Sequence, residues 1–434
     1  MKVLVVGGGG REHALAWRLA RDPAVEEVLA APGNPGISAE ARCIPVAADD
    51  LPGLVALVER EDVDLTVVGP EVPLVLGLVD ALQARGRAAF GPSAAAARLE
   101  GSKAFAKEVM RRAGVPTARS ATFTRADWEA DPRDVLSFLD AELAGGPAVV
   151  KADGLAAGKG VVVADTRGEA AAAIEACLGA GAFGDAGASV VIEERLQGSE
   201  ISAFAITDGR EVLPLAFARD FKRVGDGDAG PNTGGMGAYS PVPIVDYALA
   251  GRIIAEALEP TVRAMAEDGV PYRGVLYAGL MLTPDGPRVL EFNCRFGDPE
   301  TQVLMPRLAS EPAELLLAAA RGELAGATIE LRSEACVTVV LASGGYPGAY
   351  ETGLEISGVG DASQVDGALV FHAGTEERRG RVVTAGGRVL SVSALGVSLG
   401  QARDRAYDAC SRISFEGMHH RTDVAAAAAG EERR

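Results

Sequence analysis

One stretch near residue 290 sets the interpretation of the whole sequence, and it reads Val289-Leu290-Glu291-Phe292-Asn293-Cys294-Arg295-Phe296-Gly297-Asp298-Pro299-Glu300. Its spacing predicts a β-strand on which Glu291 and Asn293 point to the same face, because side chains alternate along a strand. A carboxylate and an amide oxygen are hard ligands suited to Mg²⁺, which takes few protein ligands and fills its shell with water and phosphate oxygens. Arg295 follows on that face if the strand continues, where its guanidinium could hold a substrate carboxylate. The alternative, an exposed acidic strand end, stays open on this chemistry alone.

A glycine-rich segment upstream has the pattern of a flap over a nucleotide. It reads Lys151-Ala152-Asp153-Gly154-Leu155-Ala156-Ala157-Gly158-Lys159-Gly160. The spacing of Gly154 and Gly158 is one residue too short for a Walker phosphate loop, and a strand (Val161–Ala164) follows where that motif needs a helix. Strand, glycine loop and strand predict a flap that closes over phosphates, with Lys151 as a point charge. A solvated hairpin is the alternative.

Two further glycine loops are candidate anion sites. The loop Gly230-Pro231-Asn232-Thr233-Gly234-Gly235-Met236-Gly237 permits positive φ, so that consecutive N–H groups could converge on an anion, and Lys222 lies just upstream. Gly7-Gly8-Gly9-Gly10 leaves the first strand and enters a helix, but Glu12 or His13 stands where a dinucleotide fingerprint needs its third glycine. This first loop is either a phosphate or phosphosugar site or a tight structural turn, and Gly69-Pro70-Glu71 is expected at the same sheet edge.

The order of predicted elements indicates a multidomain protein that combines the α/β and α+β classes. Short apolar strands alternate with helices over residues 1–102, which is typical of a doubly wound parallel sheet. Residues 103–322 hold strand pairs, glycine loops and longer helices, with a flap subdomain at about 119–192. A small α+β domain is expected at 323–425.

Two features of the last hundred residues can be predicted in more detail. Arg381–Thr384 and Arg388–Val392 flank Ala385-Gly386-Gly387 and suggest a hairpin. Residues 426–434 offer little to bury, so a disordered tail is expected there.

Composition excludes several classes of protein. A net charge of −18 argues against broad binding of nucleic acid, which depends on clustered Lys and Arg. No apolar run approaches the ~20 residues of a membrane-spanning helix, so a soluble protein without a membrane partner is expected. The five cysteines are scattered and show no metal-site or disulfide spacing, which favours a reducing cytoplasm.

Taken together, these stretches resemble the phosphoribosylamine-glycine ligases, also called glycinamide ribonucleotide synthetases, a family of the ATP-grasp superfamily. The resemblance covers nearly the whole chain and rests on eight motifs in order. They are Gly9-Gly10-Arg11-Glu12-His13-Ala14, Pro32-Gly33-Asn34, Gly69-Pro70-Glu71, Gly101-Ser102-Lys103-Ala104-Phe105, Lys151 to Gly160, Gly230 to Gly237, Glu291 to Glu300 and Phe371-His372-Ala373-Gly374-Thr375. The resemblance implies a Rossmann-like N-terminal domain, a central ATP-grasp domain and a small C-terminal domain.

The resemblance also implies an activity. Members of the family join glycine to 5-phosphoribosylamine in purine biosynthesis, with ATP as the energy source and glycyl phosphate as the intermediate. The expected cofactors are ATP and Mg²⁺ or Mn²⁺, and the expected partners are small-molecule substrates alone. A monomer or weak homo-oligomer is expected.

Site residues follow from the resemblance by motif match. ATP contacts are implied for Lys103, Lys151, Gly158, Lys159, Gly160, Glu193, Glu194, Leu196 and Glu200. The metal would be held by Glu291 and Asn293, and catalysis would involve Arg295 and Lys222. Substrate contacts are implied for Gly9, Gly10, Glu71, Asp220, Asn232 and Gly235, with the division between glycine and the phosphoribosyl group left open.

The sequence departs from the family pattern at several points. Phe221 stands where histidine is usual, Ser199 replaces the first of two glutamates, and Ala425 replaces a glycine near Arg421-Thr422-Asp423. Many ATP-grasp relatives carry a carboxylate on the strand before the metal pair, whereas Tyr277–Leu282 has none, which weakens the case for a second protein-held metal.

Three other functions remain as alternatives. The first is another ATP-grasp ligase or carboxylase, which would differ in its amine acceptor. The second is a nucleotide-binding regulatory module without turnover, against which the intact set Lys151, Glu291, Asn293 and Arg295 argues. A pyridine-nucleotide dehydrogenase is the third, and the spacing of the first glycine loop disfavours it.

Overall fold

The structure is a computed structural model that describes residues 1–154, 160–180 and 187–432. Two predicted ATP contacts, Gly158 and Lys159, lie outside the described residues. Among the helices of the described residues, none is both long enough and apolar enough to cross a lipid bilayer.

A five-stranded parallel sheet forms the N-terminal region, as predicted. Its strands are β1 (Lys2–Gly7), β2 (Glu27–Pro32), β3 (Arg42–Cys43), β4 (Leu65–Val68) and β5 (Ala88–Phe90), in the order β3-β2-β1-β4-β5. The helices are α1 (Gly10–Leu19), α2 (Leu51–Glu61), α3 (Glu71–Val75), α4 (Leu78–Gln83) and α5 (Ala94–Gly101). Strand β1 is central and almost wholly buried, as expected for a strand covered on both faces. The sheet order reverses between β1 and β4, so the loops after these two strands border the default ligand crevice of such a fold.

A smaller four-stranded antiparallel sheet forms the predicted flap subdomain. It contains β6 (Ser120–Thr124), β7 (Ala148–Ala152), β8 (Val161–Ala164) and β9 (Ser189–Glu194), in the order β6-β9-β7-β8. Helix α6 (Lys103–Ala113) leads into it, and α7 (Arg125–Ala130), α8 (Pro132–Ala141) and α9 (Arg167–Ile174) cover it. A separate apolar cluster that includes Val135, Leu139, Val150 and Ile192 fills its interior. Strands β7 and β8 pair directly, so the glycine segment between them joins two antiparallel neighbours.

The central and C-terminal regions share one eight-stranded sheet. Its strands are β10 (Ser199–Asp208), β11 (Val212–Asp220), β14 (Gly237–Ser240), β15 (Arg273–Thr283), β16 (Gly286–Asn293), β17 (Ala335–Ala342), β18 (Ala368–His372) and β21 (Arg388–Gly396). Their order in the sheet is β16-β15-β10-β11-β14-β17-β21-β18. The pairing of β14 with β17 therefore carries the backbone ladder of the central domain into the third one.

Helices and short hairpins surround this large sheet. The helices are α10 (Tyr247–Ile253), α11 (Glu259–Glu267), α12 (Thr301–Arg307), α13 (Pro312–Arg321), α14 (Val359–Ala362) and α15 (Leu399–Ser411). Strands β12 (Arg223–Gly225) and β13 (Ala229–Asn232) form one two-stranded sheet, and β19 (Thr375–Arg378) and β20 (Arg381–Thr384) form another.

The predicted hairpin around Ala385-Gly386-Gly387 is wrong. Both strands exist, but β20 pairs with β19, while β21 pairs with β17 and β18. The amide of Ala385 donates to the carbonyl of Gly374, which anchors the connection away from a tight turn. The long apolar strand β21 is buried between two neighbours of the main sheet, and this burial outweighs the local turn signal.

The predicted disordered tail is also wrong over residues 426–432, which form helix α16 (Ala426–Glu432). Alanine has the highest intrinsic helix propensity, and the small side chains of Ala428 and Ala429 are buried. The carboxylate of Glu432 accepts a hydrogen bond of 2.9 Å from the amide of Leu399 at the start of α15. The small alanine side chains therefore allow this segment to pack closely and to bury its surface.

Candidate active site

The flap sheet and strand β16 are joined by buried charges. Lys151 on β7 lies 3.0 Å from Glu193 Oε2 on β9, and its Nζ also donates to the carbonyl of Leu290 at 3.1 Å. Lys107 on α6 lies 3.1 Å from the other oxygen of Glu193. These three side chains are nearly excluded from solvent. Because a buried charge without a partner is strongly destabilising, the ion pairs among them are required. The arrangement fixes Lys151 beside the strand that carries the predicted metal ligands.

Lys103 begins α6 and reaches the base of the flap loop. Its Nζ donates to the carbonyl of Gly154 at 3.0 Å. Asp153, the residue before that glycine, accepts hydrogen bonds from the amide of Ala104 and the hydroxyls of Ser102 and Ser189. A carboxylate at a helix N-terminus is favourable, because it pairs with free amides and the helix dipole. Asp153 therefore ties the described end of the flap loop to α6.

Glu291 and Asn293 keep the expected alternation on β16. Glu291 lies opposite Gly279, and Asn293 lies opposite Tyr277, with a register irregularity just before Glu291. Burial alone would raise the pKa of the Glu291 carboxyl, but nearby cations outweigh it and lower that pKa. In order of influence, these cations are Lys222, Lys151, Lys103 and Arg295. The structure thus brings four of the predicted cations near one carboxylate.

Lys222 belongs to a second set of charged residues near Glu291, in which Glu200, Asp220 and Lys222 are half-buried. It forms an ion pair with Glu200 at the start of β10. Burial raises the pKa of Asp220 to about 7 against the opposing charge of Lys222, and Glu300 and Glu200 raise it further. Glu200 was predicted to hold the ribose, and in this structure its carboxylate is engaged by Lys222.

The strand does not continue to Arg295, as one interpretation of the sequence required, because β16 ends at Asn293. Arg295 instead pairs with Glu71 Oε2 at 3.2 Å and with Glu100 Oε1 at 2.9 Å. Glu71 begins α3 at the carboxyl edge of the parallel sheet, where Gly69-Pro70-Glu71 was expected. The crevice of the N-terminal sheet and the end of strand β16 therefore meet at Arg295.

The amides of the loop 230–237 do not converge on an anion site, contrary to the prediction. The amide of Gly234 donates to Tyr346 Oη, and that of Gly235 donates to Thr233 Oγ1, both at 3.0 Å. The amide of Met236 donates to the carbonyl of Phe221 at 2.7 Å. Protein partners thus satisfy these N–H groups, and the loop has a structural role in the conformation seen here.

The first glycine loop is filled from within. The amide of Gly9 donates to Glu12 Oε2 at 2.6 Å, and Glu12 is almost completely buried. A Cβ at Gly10 would lie 2.6 Å from Gln302 Nε2, and one at Gly9 would lie 3.7 Å from Asp298 Oδ2. A carboxylate of the protein therefore occupies the helix N-terminus where an external phosphate was one alternative, and the tight loop lets α12 approach closely.

Other predicted residues lie at the margins of the group of charged side chains around Glu291. Glu194 pairs with Arg119 at 2.9 Å, and Leu196 is half-buried in the connection from β9 to β10. Gly160 is buried at the described end of the flap loop, and its carbonyl accepts from the amide of Ala152. Asn232 is exposed on β13, and no hydrogen bond or ion pair seen in the described residues links it to the lysines.

Sequence reasoning missed four residues that organise the site, namely Glu100, Lys107, Asp298 and Arg388. Lys107 follows Lys103 by one helical turn, which is a signal that could have been used. Arg388 donates to the carbonyls of Gly234 and Asp298 and pairs with the Asp298 carboxylate at 3.1 Å. Its distance along the chain from both partners left no local pattern to detect.

Glu291 and Asn293 fit a divalent cation that takes few protein ligands. The described residues contain no group of three or more histidine, cysteine or acidic side chains that could hold a metal ion by itself. One carboxylate and one amide oxygen beside several lysines suit Mg²⁺ or Mn²⁺ that is completed by phosphate oxygens and water. The donor set therefore fits a metal that arrives with a nucleotide.

Two antiparallel sheets that hold lysines and a carboxylate between them define a protein of the ATP-grasp class. Models of the phosphoribosylglycinamide synthetase family match all three regions: the N domain at 1–100, the ATP-grasp (A) domain at 101–301 and the C domain at 336–427. The chain therefore belongs to the phosphoribosylglycinamide synthetase family.

Individual relatives agree with this assignment over the full length. The chain is 52% identical to a phosphoribosylamine–glycine ligase of Rhizobium meliloti, covering 98% of each chain, and 50% identical to one of Vibrio vulnificus, covering 100% of each. The crystal structure of the Thermotoga maritima phosphoribosylamine–glycine ligase has a TM-score of 0.81 at 34% identity, covering 98% of this chain and 100% of that one. A biotin carboxylase domain from Hydrogenobacter thermophilus, solved with ADP and magnesium, shares the fold with a TM-score of 0.72 at 18% identity, over 96% of this chain and 91% of that one.

Proposed function

We propose that this chain catalyses the ATP-dependent ligation of glycine to 5-phosphoribosylamine, with glycinamide ribonucleotide, ADP and phosphate as products. This reaction is a step of purine biosynthesis. Membership of the family over the full chain supports the activity. The observation that carries the site assignment is the convergence of Lys103, Lys151, Lys222 and Arg295 on Glu291.

ATP would lie between the flap sheet and the large sheet. Lys103 and Lys151 would neutralise its phosphates; their positions near Glu291 and at the base of the flap loop support this role. The segment from Glu193 to Leu196 would border the adenine, and Glu200 would receive the ribose hydroxyls once Lys222 turns toward substrate. Preorganised charges in a site that excludes water stabilise phosphoryl transfer most effectively.

Glu291 and Asn293 would hold Mg²⁺ or Mn²⁺. The metal supplies charge neutralisation for the terminal phosphates of ATP. The protein residues orient those phosphates, since both ligands lie on one face of a strand whose backbone is bonded to Lys151. The lowered pKa of Glu291 keeps it ionised and able to coordinate at neutral pH.

The chemistry would proceed in two displacements. A carboxylate oxygen of glycine forms a bond to the γ-phosphorus of ATP while the bond to the ADP oxygen breaks, which gives glycyl phosphate. The amine of phosphoribosylamine then attacks the acyl carbon, phosphate leaves with the carboxylate oxygen, and the nitrogen loses a proton. Arg295 would orient the carboxylate, and Lys222 would stabilise charge on the transferring group.

The finer features of the site belong to the same proposal. Glu71, Asp220, Gly235, Gly9 and Gly10 would shape the substrate pocket, the two glycines through close packing, because the amide of Gly9 is already bonded to Glu12. The domain boundaries at residues 102 and 322, and a monomeric or weakly oligomeric state, remain predictions.

An assay that measures ADP release would test the proposed activity. Phosphoribosylamine is generated in place from ribose 5-phosphate and ammonia, and each substrate is omitted in turn. We expect ADP release only when glycine and phosphoribosylamine are both present. Release driven by a different amine acceptor would identify another ATP-grasp ligase, and the absence of ADP even in a single turnover would indicate a binding module.

A further inference from the structure

Glu100 lies between the N-terminal sheet and the end of strand β16. It is near the end of α5, is 9% exposed and reaches across the chain to residues 294 and 295. One carboxylate oxygen accepts from the amide of Cys294 at 2.8 Å and from its thiol at 3.0 Å. The other oxygen lies 2.9 Å from Arg295 Nη2. A single buried carboxylate thus holds both residues that follow β16.

The thiol of Cys294 acts as a donor in this arrangement. The thiol shares one oxygen of Glu100 with the Cys294 amide. The contact therefore reinforces the position of the chain after Asn293.

Arg295 is held from two directions. Its Nε donates to Glu71 at 3.2 Å, and Nη2 donates to Glu100. Nη1 has a long contact of 3.4 Å to the carbonyl of Phe296. A guanidinium has further donors beyond these, and two fixed carboxylates set its plane. The free edge of Arg295 is thereby oriented before any substrate arrives.

We propose that Glu100 is a positioning residue for glycine, which acts by fixing the guanidinium of Arg295. This inference rests on the proposed function, in which Arg295 holds the glycine carboxylate. Preorganisation lowers the cost of binding, because the long arginine side chain need not lose its freedom when glycine binds. Loss of Glu100 should therefore weaken the binding of glycine and leave the binding of ATP nearly unchanged.

The first test compares Glu100→Gln with wild type in the coupled assay. Glutamine keeps the size of the side chain, but it removes the charge and cannot accept from all three donors. We expect KM for glycine to rise about tenfold, with KM for ATP changed by less than about twofold. Glu108→Gln is the matched control, since Glu108 is exposed on α6 and pairs with the neighbouring Arg111 and Arg112. It should keep wild-type values for both substrates.

Cys294 gives a second, milder test that does not depend on the folding of the Glu100 variant. Cys294→Ser keeps a donor to Glu100, whereas Cys294→Ala removes it, so KM for glycine should rise more in the alanine variant. Equal KM values for glycine in both, or in Glu100→Gln and wild type, would overturn the proposal. So would equal rises in KM for glycine and ATP, which a general structural defect would produce.

These outcomes are separable from failure of the proposed function. If wild type does not consume glycine and phosphoribosylamine, the proposed function fails. If wild type is active and Arg295→Lys loses glycine affinity while Glu100→Gln does not, the function stands and the positioning role of Glu100 is refuted.

Discussion

The lysines around Glu291 and the loop 230–237 differ in how their polar groups are used. The lysines gather around one carboxylate, whereas the loop amides are bonded to other parts of the protein. Around Glu291, cationic side chains from α6, β7 and the segment after β11 lie near one carboxylate and lower its pKa. In the loop, the amides of Gly234, Gly235 and Met236 are already bonded within the protein. The charged side chains therefore form the candidate active site, whereas the loop glycines allow the chain to pack closely.

The largest expected effect comes from removing the carboxylate at the centre of the cluster. Glu291→Gln should reduce kcat by about 10²-fold or more at ordinary Mg²⁺, because a metal ligand is lost while the lysines remain. Steady-state ADP release measures the effect, and circular dichroism checks the fold. Glu314→Gln, which makes the same charge change on the exposed face of α13, should retain activity. Full activity of Glu291→Gln would refute the metal assignment.

A pH effect should come from the contact that joins His13 on helix α1 to His372 in the third domain. His13 Nδ1 accepts from the amide of His372 at 2.7 Å. Burial, above all, lowers the pKa of His13 to about 3 and that of His372 to about 4. Both are neutral in the folded protein and take up protons on unfolding below about pH 6.5.

Stability from these histidines is therefore present above about pH 6.5 and is lost as the pH falls toward 4, by up to about 1.4 kcal/mol per histidine and pH unit. Urea unfolding at pH 7 and pH 5 measures this loss. The double variant His13→Asn, His372→Asn should lose less stability between these two pH values than wild type. Equal losses would show that the pair stays accessible to protons in the folded state.

Substitution of one loop glycine should have a smaller effect, of structural origin. Gly235 has φ +110°, and a Cβ there would clash with Pro299. Gly235→Ala should cost roughly 2 kcal/mol of stability and reduce activity by shifting the loop. Gly227→Ala is the control, since φ is +64° and a Cβ there meets nothing within 4 Å. Its cost should be only about 1 kcal/mol, and equal effects at both positions would contradict close packing at Gly235.

The smallest effect is expected at Ala425, which follows the segment that holds the β12–β13 hairpin. Arg421 pairs with Asp228, and the amide of Thr422 donates to Asp226, so residues 421–423 hold β12 and β13. Ala425 follows with φ +60°, a conformation that glycine adopts at lower cost. Ala425→Gly should raise the free energy of unfolding by up to about 1 kcal/mol. Ala429→Gly in α16 should lower it by a similar amount, and a loss at both positions would refute strain at Ala425.

Much of the fold was predictable because it follows from local pattern. Strands β4, β5, β8 and β17 begin and end where their apolar runs do, and the βαβ alternation indicated the parallel sheet. The separation of β20 from β21 was not predictable, since β21 pairs with β17 and β18 from earlier in the chain, while β20 forms its own hairpin with β19. Helix α16 was not predicted because its structure depends on contacts with α15, which is distant in the sequence.

For the site, residue type and spacing predicted roles for Lys151, Glu291 and Asn293, and the family resemblance added Lys103; both lysines lie near Glu291 in the structure. Partners distant in sequence were not predictable. Tyr346 Oη receives the amide of Gly234 across 112 residues, and Glu100 reaches Cys294 across 194. Phe221, which departs from the family pattern, lies 4.8 Å beneath the guanidinium of Arg421, a cation–π contact with no local sequence signal.

The central claim is that the cluster around Glu291 directs the γ-phosphoryl group of ATP to the carboxylate of glycine. Glycine labelled with ¹⁸O in its carboxylate tests this most directly, with the inorganic phosphate product analysed by mass spectrometry. Activation as glycyl phosphate predicts transfer of an ¹⁸O atom from glycine to phosphate in each turnover. Unlabelled phosphate, formed while glycinamide ribonucleotide accumulates, would contradict the account.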